Sequence, residues 1–157
     1  MPPLPTLQEA LNLLVQTQDQ EKIDEGFRLL QELSDSGDMT AAAYLGDSCR
    51  YKHLGHYDLE MCRQYLEMSV AAGNPQGQFF LGSMLMTGDA PFKEDKVYGK
   101  WLLEEAKKGG VEDAGKLLDC LYMEMSTADA KRMLGESGRK LFFLNLWEAI
   151  NNYKNRI

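Results

Sequence analysis

The chain lacks the features that mark secreted, membrane-spanning and disulfide-stabilised proteins. Its only cysteines are Cys49, Cys62 and Cys120, an odd and scattered set that argues for a reducing compartment and against a disulfide framework. No apolar run approaches the roughly 18 residues that cross a bilayer. The first residues show neither the basic region nor the long apolar stretch of a secretion signal. These absences predict a cytoplasmic protein that does not span a membrane.

The familiar signatures of catalysis are also missing. The sequence contains no phosphate-cradling glycine loop, no CxxC pair, and no HExxH or GxSxG motif. His53 and His56 lie close to Asp58 and hint at a metal site. Two histidines in a predicted loop with no cysteine nearby are, however, more typical of an ordinary polar loop. We therefore predict no catalytic residue, no metal and no cofactor, and expect a protein that is not an enzyme.

Charge is unevenly distributed along the chain, whose net charge is −7. Residues 1–130 hold 11 Lys and Arg against 22 Asp and Glu, whereas residues 131–157 hold six bases against two acids. An acidic body repels nucleic-acid phosphates and anionic lipids, and it suits a basic partner. The alternative is a solvated surface with ordinary variation of sign. Neither a nucleic acid nor a membrane is expected as a partner.

The chain does contain a repeat of 36 residues. Gly37, Gly73 and Gly109 are separated by this step, and each follows a run of helix-forming residues. Apolar positions keep the same step: Leu45, Leu81 and Leu117; Cys49, Leu85 and Leu121; Leu29, Tyr65 and Trp101. Glycines and apolar positions that recur in this way predict stacked helical hairpins.

Helix-start and helix-stop signals agree with the repeat. Capping residues, apolar periodicity and glycine stops predict helices at about 6–17, 21–36, 38–51, 58–72, 75–87, 94–108 and 111–125. The register then fails, and residues 139–155 are predicted to form a longer apolar helix. Capping of the stack is the favoured role of this helix, and docking of a partner is the alternative.

No strand-like alternation competes with these helices, so the predicted fold class is all-α. We expect one domain over residues 1–157, built as a right-handed α-solenoid of stacked antiparallel hairpins. Repeat units cover about residues 20–125, and divergent capping helices cover 126–157.

Two stretches of the repeat share a motif: residues 37–46 read G-x-x-x-A-x-x-x-L-G, and residues 73–82 read the same with Gly77 in place of the alanine. This motif resembles the opening of Sel-one-like repeats, which are relatives of tetratricopeptide repeats, and residues 88–101 resemble the family's loop and second helix, with Tyr98 in place of an alanine. The disulfide-bonded branch of the family places its cysteines at positions held here by Ser69 and Gln78. The resemblance therefore implies that Cys49 and Cys62 are buried apolar thiols.

Two further positions in the repeat have expected packing roles. Gly46 and Gly82 lie in mid-helix, where glycine costs about 1 kcal/mol relative to alanine. We expect both to permit close approach of the partner helix. Tyr65 and Trp101 are expected to wedge between neighbouring units, where truncation of a buried aromatic costs about 3–5 kcal/mol.

The resemblance implies that the first helix of each hairpin lines a concave groove that binds a partner. The groove residues that follow by phase are Thr40, Asp47, Arg50, Tyr51, Gln76, Phe79, Ser83, Met86, Glu112, Asp119, Tyr122 and Met123. Aromatic and methionine side chains mixed with acids suit a peptide or helix with apolar anchors and basic character. A phase error of one residue would instead place Phe79 or Met86 in the core.

The expected function is a protein–protein interaction module, bacterial in origin, that scaffolds or regulates a protein or peptide partner. A more specific alternative is an immunity protein that neutralises a toxin or effector, as some members of this family do. A third interpretation, from another class, is an enzyme or the regulatory subunit of one. The sequence makes no prediction of the oligomeric state.

Overall fold

The computed structural model describes residues 5–15 and 17–122, and over these residues every regular element is helical. The α-helices are α1 Leu7–Val15, α2 Gln20–Asp35, α3 Met39–Ser48, α4 Leu59–Ala71, α5 Pro75–Thr87, α6 Lys96–Lys108 and α7 Glu112–Tyr122. A short 3₁₀ turn, Lys52–Leu54, lies between α3 and α4. The all-α prediction is confirmed for this part of the chain. The capping helices predicted at 126–157 lie outside it.

The helices begin where the sequence signals placed them, because polar side chains satisfy the first backbone N–H groups. Thr6 and Glu9 form a reciprocal capping box at α1: the Glu9 N–H donates to the Thr6 hydroxyl, and the Thr6 N–H donates to the Glu9 carboxylate. Five later helices are capped by side-chain oxygens that accept hydrogen bonds from backbone N–H groups of the first turn. These oxygens belong to Asp19, Asp38, Asp58, Asn74 and Asp95. None of the described helices has the length and apolar character that a membrane crossing needs.

The chain divides into two compact units, residues 1–77 and residues 78–157, with the boundary inside α5. In the first unit α1 packs on α2, α2 on α3, and α3 on α4; in the second, α6 packs on α7. Each pair joins helices consecutive in sequence, as expected of hairpins with short connections. The single-domain organisation over 1–157 stays a prediction.

Both mid-helix glycines lie where the partner helix approaches most closely, as predicted. A Cβ at Gly46 would lie 3.0 Å from Cγ of Leu66 and 3.2 Å from the carbonyl oxygen of Cys62, both in α4. A Cβ at Gly82 would lie only 2.9 Å from the carbonyl oxygen of Gly99 in α6. Glycine is therefore required by the helix–helix distance at Gly82, and at Gly46 a Cβ would fit only if its neighbours in α4 shifted by a few tenths of an ångström.

The repeat lengthens by one residue in the loop that joins α5 to α6. The Asp58 N–H donates to the carbonyl of Cys49, and the equivalent Asp95 N–H donates to the carbonyl of Leu85. Cys49 and Leu85 are 36 residues apart, whereas the N-caps Asp58 and Asp95 are 37 apart. From α6 onward, structurally equivalent residues therefore follow a step of 37.

The longer step corrects two predictions. A glycine with positive φ follows α2 at Gly37 and α4 at Gly73, as predicted. After α6 this conformation belongs to Gly110, because Gly109 has a φ of −77°. Trp101 is likewise equivalent to the exposed Gln64 and not to Tyr65. Trp101 is 53% exposed, so its predicted wedge role is wrong.

Candidate functional site

Three predicted groove residues lie in the interior of the second unit. Phe79, Ser83 and Met86 are 4%, 9% and 5% exposed. They belong to a run, 79–87, in which every residue is buried. A helix apolar on all sides is buried on all sides and leaves no open face for a partner. The prediction that these three side chains line an accessible groove is wrong, and the alternative of a core position is confirmed for Phe79 and Met86.

Asp47 is buried for the same reason, since residues 41–49 of the first unit are all buried. Arg50 donates from Nε to Oδ1 of Asp47 at 2.9 Å, and its guanidinium lies 4.9 Å from the centroid of the Tyr51 ring. Three predicted groove residues are thus brought together at the C-terminal end of α3. Asp47, at 1% exposed, offers no surface to a protein partner.

Burial dominates the electrostatics of this cluster. It raises the pKa of Asp47, against the opposing charge and hydrogen bond of Arg50 and a smaller contribution from the Tyr51 hydroxyl. Oδ2 of Asp47 has no hydrogen-bond partner among the described residues. Burial also raises the pKa of the Cys49 and Cys62 thiols to about 12, with the Asp47 carboxylate adding to the effect. Both cysteines are free and buried, so the prediction of buried thiols is confirmed.

Two more predicted residues help to position the start of α5 within the first unit. The Asn74 side-chain amide donates to the Thr40 hydroxyl at 2.9 Å, and its amide oxygen accepts from the Gln76 N–H at 3.0 Å. Thr40 and Gln76 are both half-buried. These hydrogen bonds give Thr40 and Gln76 a structural role in the connection between α3 and α5.

The remaining predicted groove residues belong to the C-terminal part of the second unit. Glu112 and Asp119 are exposed on α7, seven residues apart and therefore on one face. The Tyr122 side chain and all of Met123 lie outside the part of the chain that the structure describes. Of the predicted residues that the structure describes, Asp47, Phe79, Ser83 and Met86 are therefore not accessible to a partner.

The histidine-containing loop also has a structural explanation. The His56 ring stacks on Phe27 with centroids 4.0 Å apart, and its Nε2 lies 2.6 Å from Oδ1 of Asp24. This hydrogen bond, after that from Gln20, lowers the pKa of Asp24. Over residues 5–15 and 17–122, no three His, Cys, Asp or Glu side chains are grouped as a metal site would require.

The surface that the sequence analysis missed is the outer face of α6. Val97 is 85% exposed, Tyr98 40% and Trp101 53%. The rings of Tyr98 and Trp101 are stacked, with centroids 6.1 Å apart and planes inclined by 20°. These three side chains, at spacings of one, three and four residues, share one face and are called the α6 stripe below.

α6 has a second apolar face that packs into its own unit. That inner face consists of Gly99, Leu102, Leu103 and Ala106, all buried. Because the inner face is complete without the α6 stripe, the stripe is an addition that folding of the hairpin does not need. The sequence of α6 does show a second set of apolar residues outside the buried face, which indicates an apolar surface. The 36-residue step, however, predicted that Trp101 lies in the core.

Ion pairs border the α6 stripe at both ends of the helix. Lys96 lies 3.3 Å from Glu94 at the start, and Lys108 lies 3.0 Å from Glu105 near the end. Such exposed pairs contribute little to stability but keep the rim of an apolar patch polar. An apolar centre with a charged rim is the usual composition of a protein-binding surface.

Comparison with protein-family models, with curated proteins and with solved structures found no match to this chain.

Proposed function

We propose that this chain is a protein–protein interaction module that docks a protein or peptide partner on the α6 stripe. The observation that carries the proposal is the exposure of Val97, Tyr98 and Trp101 together on one face. Single exposed apolar residues are common on protein surfaces, but a contiguous cluster rimmed by charges marks an interaction site. Tryptophan and tyrosine are also the residues most enriched among binding hot spots.

The comparison between hairpins supports this assignment. The residues of α4 that are equivalent to the stripe by the 37-residue step are Glu60, Met61 and Gln64. Glu60 and Gln64 are exposed and polar, as is normal for the outer face of a surface helix. Met61, the equivalent of Tyr98, is itself apolar and half-buried. Val97 and Trp101 stand in place of polar residues and therefore need an explanation beyond the fold, and docking supplies one.

The proposal includes the finer architecture that the sequence suggests. The hairpins are proposed to stack as an α-solenoid of the Sel-one-like type, with the role of scaffold or regulatory adaptor. The earlier concave-groove assignment is replaced by the α6 stripe.

Affinity capture from the source organism with matched variants tests the proposal. The bait carries Tyr98→Ala and Trp101→Ala, and the control bait carries Gln64→Ala at the equivalent position of α4. We expect a protein that is captured by the wild-type and control baits and lost with the stripe variant. Thermal melting of all three baits shows whether they are folded. If no captured protein depends on the stripe while the variant stays folded, the proposed function is wrong.

A further inference from the structure

The charged residues around the α6 stripe follow a pattern that is centred on Trp101. Each residue of a helix is rotated by about 100° from the one before it. Lys108, two turns after Trp101, therefore lies within about 20° of it on the same face of α6. Lys100 and Glu104 lie on one flank of the stripe, about 100° and 60° from Trp101. Glu105 lies on the opposite flank, about 40° from Trp101.

The two remaining lysines of α6 lie away from the stripe. Lys96 and Lys107 are about 140° and 120° from Trp101 around the helix. Lys107 lies beside α7, where a Cβ at Gly115 would be 3.5 Å from its side chain. Lys96 is half-buried at the start of the helix. A molecule docked on the stripe would therefore meet the other two lysines of α6 and not these.

A second copy of α6, running antiparallel across the stripe, matches this pattern. If the two helices cross at Trp101, a twofold axis brings each flank against the same flank of the other copy. Lys100 then lies within about 3 Å of the level of Glu104 in the second copy, on the same flank. Tyr98 lies within about 1.5 Å of the level of Glu105 in the second copy, where its hydroxyl can donate to the carboxylate. The symmetry makes each of these contacts occur twice.

The charges at the two ends of α6 favour the antiparallel direction over the parallel one. Lys108 follows Trp101 by seven positions and Glu94 precedes it by seven, so the antiparallel arrangement puts them at the same level in opposite copies. In a parallel pair, Lys108 would face Lys108 of the second copy on the stripe face, where like charges repel. The antiparallel pair also brings together the Tyr98 and Trp101 rings of both copies, and such aromatic contacts are favourable.

The size of the stripe indicates a weak association. An aromatic side chain buries about 150–250 Å² when it is fully covered, and the side chains of the stripe are already partly covered in one copy. Two stripes together would therefore bury less than about 1,200 Å², which is the range of weak and transient complexes. We expect a dissociation constant of about 10–100 μM.

We propose that the partner of the α6 stripe is a second copy of this chain, bound antiparallel about a twofold axis at Trp101. The proposal rests on the proposed function, because it names the protein that docks on the stripe. Apolar contact between the two stripes stabilises the pair. Lys100 and Glu104 of opposite copies fix its direction and register, as complementary charges do at protein interfaces.

Charge reversal at Lys100 and Glu104 tests the proposal directly. Lys100→Glu alone places acid against acid in both symmetric contacts, and Glu104→Lys alone places base against base. In a one-to-one mixture the two variants can form a heterodimer in which both contacts again join opposite charges.

Sedimentation equilibrium of the full chain measures the outcome. We expect each variant alone to dimerise at least about tenfold more weakly than wild type, and the mixture to dimerise with an affinity close to that of wild type. Wild type that stays monomeric at about 1 mM, ten times the weakest dissociation constant expected, would overturn the proposal. A mixture that dimerises no better than its components would overturn it too.

The equivalent pair of α4 provides the matched control. Arg63 and Glu67, each 37 residues before its counterpart on α6, form an ion pair of 3.5 Å, but the position equivalent to Trp101 is the polar Gln64. Arg63→Glu and Glu67→Lys should therefore dimerise like wild type, and melting curves check that all four variants are folded. Equal weakening by the α4 and α6 variants would overturn the proposal by showing that net charge controls the association.

The bait that carries Tyr98→Ala and Trp101→Ala separates this proposal from the proposed function. It should stay monomeric where wild type dimerises, and if it dimerises like wild type, the copies meet through another face and the proposal is wrong. Stripe-dependent capture of a different protein by a chain that is itself monomeric would overturn the second copy as the partner and leave the proposed function standing. A monomeric chain without any stripe-dependent capture would contradict both.

Discussion

The helices α4 and α6 bury equivalent positions on their inner faces but differ on their outer faces. On the inner side Cys62 of α4 corresponds to Gly99 of α6, and Leu66 corresponds to Leu103, and all four are buried. These residues pack the helix into its hairpin, where changes of volume are costly. On the outer side Gln64 corresponds to Trp101, and both are exposed.

The difference shows which part of the repeat is constrained by folding. An outer face in water tolerates almost any polar residue, and most substitutions there change stability by less than about 0.5 kcal/mol. A stacked tyrosine and tryptophan at that position cannot be attributed to the hairpin, whose inner face is already closed. The outer face of α6 is therefore the place where this chain departs from its own pattern.

The largest expected effect compares two neighbouring residues of α6. Leu102→Ala should reduce the free energy of unfolding by about 2–5 kcal/mol, because it removes a fully buried side chain and leaves a cavity. Trp101→Ala should cost less than about 1 kcal/mol, since the side chain is half exposed. Urea unfolding of both variants measures the difference. Comparable losses of unfolding free energy would mean that Trp101 is a core residue and that the outer faces of α4 and α6 do not differ as described.

The next effect tests the close contact between α5 and the inner face of α6. Gly82→Ala should cost about 1–3 kcal/mol, because the new Cβ would lie 2.9 Å from the backbone carbonyl oxygen of Gly99, which cannot move aside. Gly115→Ala is the matched control: its Cβ would lie 3.5 Å from the Lys107 side chain, at ordinary contact distance. That variant should gain up to about 1 kcal/mol from helix propensity. Thermal unfolding that shifts both variants in the same direction would refute the close α5–α6 contact.

A smaller effect distinguishes the two tyrosines of α4 and α6. The Tyr65 hydroxyl donates to Oε1 of Gln31 at 2.8 Å, whereas Tyr98 is exposed. Tyr65→Phe should therefore lose about 0.5–1.5 kcal/mol, the net contribution of a typical hydrogen bond. Tyr98→Phe should change the free energy of unfolding by less than that. Equal losses in chemical denaturation would mean that both hydroxyls are equally engaged.

The smallest expected effect is a pH dependence in the first unit. The folded-state pKa of Asp47 is raised by burial, so the folded protein binds this proton more tightly than the unfolded chain does. The contribution of Asp47 to the free energy of unfolding is therefore fully present below about pH 4, the pKa of an aspartate in the unfolded chain. It is lost as the pH rises from there through the higher pKa of the folded state. Asp47→Asn should lack this loss, so its stability relative to wild type should improve over that range. Parallel curves of unfolding free energy against pH would contradict the raised pKa.

The helical fold was largely predictable from local signals. Capping side chains such as Asp38, Asp58 and Asp95 fix helix starts through short-range hydrogen bonds, and these depend only on nearby sequence. The close approach at Gly46 and Gly82 was predictable too, because glycine in mid-helix has a cost that only packing offsets. The resemblance to Sel-one-like repeats stays a prediction.

The candidate site was not predictable from the repeat alone. One extra residue in the loop before Asp95 rotates every later position by about 100° around its helix. Trp101 therefore moves from the expected interface to the surface. The prediction failed at Phe79 and Met86 for another reason. Residues 79–87 of α5 are all buried, so the position of a residue around this helix does not indicate an exposed face. The lack of charged residues in α5 was the available signal.

The affinity of the captured partner for stripe variants tests the central claim most directly. Its dissociation constant should be measured by calorimetry for wild type, for Trp101→Ala and for Gln64→Ala. Loss of a hot-spot tryptophan costs at least about 2 kcal/mol, or about 30-fold in affinity, so we predict that weakening for Trp101→Ala and none for Gln64→Ala. An unchanged dissociation constant in folded Trp101→Ala would contradict the claim that the outer face of α6 is the binding surface.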